Sequence, residues 1–188
     1  MKRIWFTLMF VSIVGMLQAQ TYHFRGLEWG ATRAKVKQTE KARFVLERDN
    51  FLEYQSVLGD YDATLTYYFT VEDQLMGAKY TIHNRFSNPQ HHFEEFAFFE
   101  SLLSEKYGTP VKRSVITPKQ DPKDENLYTS LLKEGNFSQE TRWETPETEV
   151  RLILSGEGDQ VILTIEYFSR KLTTLNQQRK KEMVLKYL

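Results

Sequence analysis

In "ATLTYYFTVEDQLMGAKYTIH", residues 63–83, the side chains alternate in character. Ala63, Leu65, Tyr67 and Phe69 fall on one side of an extended chain and Thr64, Thr66, Tyr68 and Thr70 on the other, which makes one face apolar and the other wetter. After the turn signal VEDQ the alternation returns, with Met76, Ala78, Tyr80 and Ile82 inward. Upstream, RDN and GDYD separate further apolar runs, so Arg43 to His83 reads as an antiparallel meander.

A sheet with one apolar face needs a cover, and the next segment supplies one. In "SNPQHHFEEFAFFESLLSEKYGTP" Asn88 is placed to cap, Pro89 takes the first helical position, and Gly108 with Pro110 marks the end. Phe93, Phe96, Phe99, Leu103 and Tyr107 recur at three and four residues, and Phe98 and Leu102 widen the stripe. An aromatic stripe at helical spacing is a core face rather than a cofactor box. This long helix is therefore expected to lie across the sheet.

A short strand at Val111 to Ile116 follows, then a polar surface insertion at about 117–139. Within it Asp121 and Pro122 open a small helix with Leu127, Tyr128, Leu131 and Leu132 on one side, closed by Gly135. Trp143 begins a last group of two strands. Val150, Leu152 and Leu154 point inward on one and Val161, Leu163, Ile165 and Tyr167 on the other, with SGEGDQ as the turn. "SRKLTTLNQQRKKEMVLKYL" ends the chain as a helical tail.

Ahead of the meander, Tyr22, Phe24 and Leu27 read as a short first strand that Gly30 ends. Thr32 then caps a short helix through Ala34, Val36 and Lys37, with Trp29 as a plug at the junction of helix and sheet. "GLEWGATRAKVK" is not a phosphate loop, because Gly26 and Gly30 are too close and no Gly-Lys-Ser/Thr follows. The order of elements gives an α+β fold: an antiparallel sheet with a long helix packed on one face. It hints at two similar halves, without a residue-level repeat.

Residues 1–19 read as a secretory signal peptide: Lys2 and Arg3, an apolar run from Ile4 to Leu17, and Ala19 before the cut. The run is shorter than the roughly 20 residues of a membrane span, so no transmembrane segment is expected after cleavage, and an uncleaved anchor is the alternative because Leu17 is not an ideal residue three positions before the cut. Residues 20–188 then form a single domain, periplasmic or secreted. The chain has no cysteine, which excludes a lipid-anchored N-terminus, a disulfide framework and thiolate zinc sites. Without Lys2 and Arg3 it carries 23 basic and 25 acidic side chains, so no global field for nucleic acid exists.

Trp29, Gly30, Thr32 and Val36, then Tyr107, Gly108 and Pro110, then Trp143 with the Val150 and Val161 strands, form a pattern that covers most of the mature chain. It resembles small exported proteins of diderm bacteria of unassigned function. At fold level it also resembles the BamE and beta-lactamase-inhibitor-protein type of α+β module, which implies binding to protein surfaces. These motifs are structural punctuation, and the resemblance carries over no catalytic residue.

Chemistry is sparse. His91, His92, Glu94 and Glu95 open the long helix, where His91 or His92 with Glu95 has metal-pair spacing. Zinc takes three or four ligands, however, and His23 and His83 have no spacing that recruits them, so no metal or cofactor is expected. There is no cysteine nucleophile and no Gly-x-Ser-x-Gly elbow. The tail holds Arg170, Lys171, Arg179, Lys180, Lys181 and Lys186 against Glu182. Its apolar residues form no continuous stripe, so it reads as a solvated helix end, with weak contact to an anionic membrane surface as the alternative.

The expectation is a non-catalytic interaction or ligand-binding module of the cell envelope whose partner is an envelope protein or peptide. An envelope-polymer hydrolase is the alternative. Alternation leaves Tyr68, Leu75, Lys79, His83, Arg151, Ile153, Ile162, Glu166 and Phe168 on the outward face of the sheet. Of these, Tyr68, Lys79, His83, Arg151, Ile153 and Phe168 are the candidate binding residues, because aromatic and Arg anchors dominate interfaces. The competing reading is that the insertion helix or the C-terminal helix folds over this face.

Overall fold

The structure, a computed structural model, describes residues 23–83, 86, 88, 90–116, 130–132, 134–157 and 160–188. Among the described residues the complete elements run helix, four strands, helix, four strands, helix. These are α1 (Arg33–Thr39), β1 (Arg43–Arg48), β2 (Phe51–Leu58), β3 (Tyr61–Phe69), β4 (Leu75–Ile82), α2 (Gln90–Tyr107), β5 (Lys112–Ile116), β6 (Ser138–Glu144), β7 (Thr148–Glu157), β8 (Gln160–Ser169) and α3 (Arg170–Leu185). The strands form one open antiparallel sheet in the order β1-β2-β3-β4-β8-β7-β6-β5. Two meanders therefore meet along β4 and β8, and β1 and β5 are the edges.

The two faces differ as strand alternation requires. Leu52, Leu65, Tyr67, Tyr80, Ile165, Leu152 and Trp143 share the buried face with the rest of the apolar core. Phe96, Phe99 and Leu103 of α2 belong to the same core, and α2 contacts β6, β7 and β8. Polar bonds fix the contact: Thr141 Oγ1 donates to Glu100 Oε1 at 2.7 Å, and Trp143 Nε1 donates to the Gly108 carbonyl at 3.1 Å. Phe98 and Leu102 are about half exposed, so they lie beside the buried stripe rather than widening it. Asn88 accepts the Gln90 N–H at 3.1 Å and caps α2; Pro89 lies outside the described residues.

Three details correct the sequence expectation. Residues 24–27 are a turn and not a strand: Phe24 and Leu27 exchange backbone bonds across Arg25 and Gly26, both at positive φ (45° and 76°), as a two-residue hairpin turn requires. The ring of Phe24, buried against Tyr67, Tyr80 and Tyr167, is the plug, while Trp29 is half-buried beside it. Between β3 and β4, Tyr68 pairs with Gly77 but Phe69 pairs with Leu75, so Met76 is a bulge. One extra residue flips the strand end: Leu75 is fully buried and Met76 half-exposed, the reverse of the alternation. Trp143 also lies in a full strand, β6, which takes the end of the insertion into the sheet.

The bulge has a visible cause. Gly30 N–H donates to the Leu75 carbonyl at 2.8 Å and Leu75 N–H to the Ala31 carbonyl at 2.9 Å, so "WGA" runs beside the start of β4 like a short extra strand. Thr32 then accepts the Lys35 N–H and starts α1. Below it, Glu40 closes a buried network on the core face. It receives two hydrogen bonds from Arg25 at 2.9 Å, one from Tyr67 at 2.5 Å and the N–H groups of Lys41 and Ala42 at 2.7 Å.

Of the insertion helix, Asp121, Pro122, Leu127 and Tyr128 lie outside the described residues. Its end packs on the buried face: Leu132 is fully buried, and a Cβ on Gly156 would meet the Leu132 carbonyl oxygen at 1.6 Å. Gly135, at φ 71°, closes this turn.

Candidate functional site

The bulge and the pairing of β4 with β8 determine what the other face of the sheet presents. Three rows cross it. Thr64, Thr81, Thr164 and Ile153 form one. Thr66, Lys79, Glu166, Arg151 and Arg142 form the next. Phe51, Tyr68, Gly77, Phe168 and Glu149 form the third. Apart from Thr66 and Gly77, these residues are neither buried nor fully exposed. That is the state of side chains on an open sheet shading one another.

Tyr68, Lys79, Arg151 and Phe168 come together at the centre. Phe168 lies flat over Gly77 and stacks on Tyr68 with ring centroids 5.8 Å apart and planes at 29°. Lys79 Nζ is 5.9 Å from the Tyr68 centroid and Arg151 Cζ is 5.8 Å from that of Phe168, so a cation flanks each ring. Ile153 follows Arg151 by two residues on β7 and extends the patch. His83 is at the margin, its Nε2 2.7 Å from Thr64 Oγ1. Leu75, expected outward, is core. Glu166 joins the patch through Arg151 at 2.9 Å, and Ile162 lies beyond it on β8.

A charge ladder borders the aromatic pair. Arg151 Nε lies 3.3 Å from Glu149, Arg142 pairs with Glu149 at 3.3 Å and with Glu144 at 3.4 Å, and Arg170 reaches Glu144 at 3.2 Å. Arg142 Nε is buried without a hydrogen-bond partner. Planar aromatics and guanidinium groups are chemically suited to flat stacking and bidentate hydrogen bonds. The sequence reading missed Gly77, whose place inside a strand pattern was its signal, and Glu149 and Arg142, which only the register brings alongside.

A second group gathers where the N-terminal turn meets the β6–β7 connection. A cleft of about 410 Å³ is lined by His23, Lys106, Tyr107 and residues 145–148. His23 stacks on Trp29, its Nδ1 accepts the Trp29 N–H at 3.1 Å, and its Nε2 pairs with Glu147. Trp29 Nε1 donates to Thr148 Oγ1 at 2.8 Å. Both ring nitrogens of His23 are thus engaged within the chain. The group works as a clasp tying residues 23–29 to β7.

At the start of α2, His91 pairs with Glu94 at 2.8 Å on the exposed side, while His92 and Glu95 are buried. His91 thus meets Glu94 and not Glu95, the residue at the metal-pair spacing. Among the described residues no three His, Asp or Glu side chains form a metal-ligand group.

Electrostatics single out the Glu40 network. Burial opposes ionisation of Glu40, but hydrogen bonds from Arg25, Tyr67 and Ala42 outweigh it and hold its pKa below the ordinary value. Burial, together with Glu40, pushes the Tyr67 hydroxyl far up. Every oxygen of this carboxylate is bonded, which makes it a structural lock. No protein-family model matches the chain, and neither curated proteins nor solved structures provide a match.

Proposed function

We propose that the chain is an exported, non-catalytic interaction module of the bacterial cell envelope that binds an envelope protein or peptide through the open face of its sheet. In this reading α2 covers one face of a sheet built from two similar halves, and Tyr68, Lys79, Arg151, Ile153 and Phe168 on the other face form the contact, with His83 at its rim. One observation carries the reading: stacked Tyr68 and Phe168, each flanked by a cation, are part-exposed on the face opposite the apolar core, next to where α3 meets β4 and β8. The end of the insertion packs on the opposite face against Gly156, which argues against burial of the patch from that side.

Export rests on Lys2, Arg3, the apolar run and Ala19. The punctuation shared with small exported envelope proteins points the same way. Among the described residues no helix is long and apolar enough to cross a membrane.

The test replaces Tyr68 and Phe168 together by Ser and compares capture of an envelope partner by immobilised wild-type and variant protein. The expected result is loss of a partner that the wild type retains, with a melting temperature within a few degrees of wild type. A stability loss of about 3 kcal/mol or more would show instead that the pair is core, and unchanged capture would remove the site.

A further inference from the structure

Charge is unevenly divided along the chain. Arg170 to Leu188 hold six basic side chains against the single acid Glu182, whereas the chain as a whole has no net charge. α3 carries them in two different settings. In its first half Ser169 caps the helix by accepting the Leu172 N–H at 3.2 Å, buried Asn176 accepts the Val71 N–H at 3.1 Å, and Arg179 pairs with Glu72. Leu172, Thr173, Asn176 and Arg179 recur at helical spacing and form the side that meets the β3–β4 turn.

From Lys180 onward every residue is exposed, because the helix has run past the sheet. Met183 is 47%, Val184 59%, Tyr187 87% and Leu188 96% exposed. Leu185, at 57%, is exposed as well, so the helix end presents apolar groups beside its lysines. The apolar stripe is broken in sequence for this reason: its first part answers to the fold and its last part to something else.

At about 100° per residue Met183 and Val184 lie on one side of the helix with Lys180 between them, exposed Leu185 lies on the side of Glu182, and Lys186 and Tyr187 continue in the turn that ends α3. Such an end suits a lipid interface: apolar side chains enter the acyl boundary while lysine stems run alongside and their ammonium groups reach the phosphates. A nucleic acid would satisfy the lysines and leave the apolar groups in water. A second α3 would bring like charge against like.

We infer that the projecting end of α3 docks on an anionic phospholipid surface, with Met183, Val184 and Tyr187 in the interface and Lys180, Lys181 and Lys186 on the lipid phosphates. This site is separate from the Tyr68–Phe168 patch and does not depend on it.

Flotation with vesicles tests it, using the chain from Gln20, which contains every described element. Phosphatidylglycerol and phosphatidylcholine in equal parts should retain wild-type protein at least tenfold better than phosphatidylcholine alone, and 0.5 M salt should abolish the difference. Lys180→Gln/Lys181→Gln/Lys186→Gln and Met183→Ser/Tyr187→Ser should each lower retention at least tenfold with unchanged melting temperature. In a Tyr187→Trp protein the emission should shift to the blue when anionic vesicles are added. Equal retention on both vesicle types, undiminished retention by either variant, an unshifted Trp emission, or self-association that buries the helix end would each overturn the inference, as would binding to duplex DNA in preference to vesicles.

Discussion

The ring of Phe168 occupies the space where Gly77 would carry a side chain: a Cβ on Gly77 would meet two ring carbons at 2.2 and 2.3 Å. The neighbour across the strands thus takes the place of a missing side chain, and Phe168 lies flat enough to stack on Tyr68. Gly77→Ala should push the ring out of its rotamer and cost about 1 to 3 kcal/mol. Partner binding should fall with it. Urea unfolding measures the first effect, and a variant as stable as wild type would mean the ring moves aside freely.

The buried Glu40 lock makes a pH prediction. Glu40 has its folded-state pKa held below the ordinary 4.5, so its contribution is present above that value and is lost as pH falls through the folded pKa. Urea midpoints measured from pH 7 to pH 3 should drop below pH 4.5 more steeply for wild type than for Glu40→Gln. At pH 7 the variant should be less stable by about 2 to 4 kcal/mol, as when one partner of a buried pair is removed. Parallel pH curves would show that the carboxylate charge is not what the network holds.

Two tryptophans separate core from clasp. Trp143 is fully buried and bonded to the Gly108 carbonyl, so Trp143→Ala should cost about 3 to 5 kcal/mol. Half-buried Trp29, which keeps one hydrogen bond to Thr148, should cost only about 1 to 2 kcal/mol on the same substitution. Thermal melts of the two variants decide the order, and a larger loss for Trp29→Ala would return to it the plug role that Phe24 fills.

For export, the intact mass of the released protein should correspond to a chain beginning at Gln20. A membrane-bound product that still begins at Met1 would contradict the proposed cleavage.

Much of the sheet was legible because strand alternation is a local signal. The threonine and apolar faces of β3, the turns RDN, GDYD and VEDQ, and the capped start of α2 at Asn88 all act within a few residues. Register is not local. Only the bulge at Met76, set by Gly30 and Ala31 bonding to Leu75, decides that Leu75 is core and that Tyr68 faces Gly77 and Phe168. Four of the six candidate residues meet through that register, while His83 stays at the margin, bonded to Thr64 and to the Asp62 carbonyl. The clasp of His23, Trp29, Glu147 and Thr148 had no readable spacing because its two halves lie more than a hundred residues apart.

The central claim is that the open sheet face meets a protein partner, and photo-crosslinking in living cells tests it most directly. Benzoylphenylalanine in place of Lys79 or of Ile153 should give the same discrete adduct, and in place of exposed Glu105 on α2 it should give none. No adduct from either sheet position in cells that make the folded protein, or the same adduct from all three, would contradict the account.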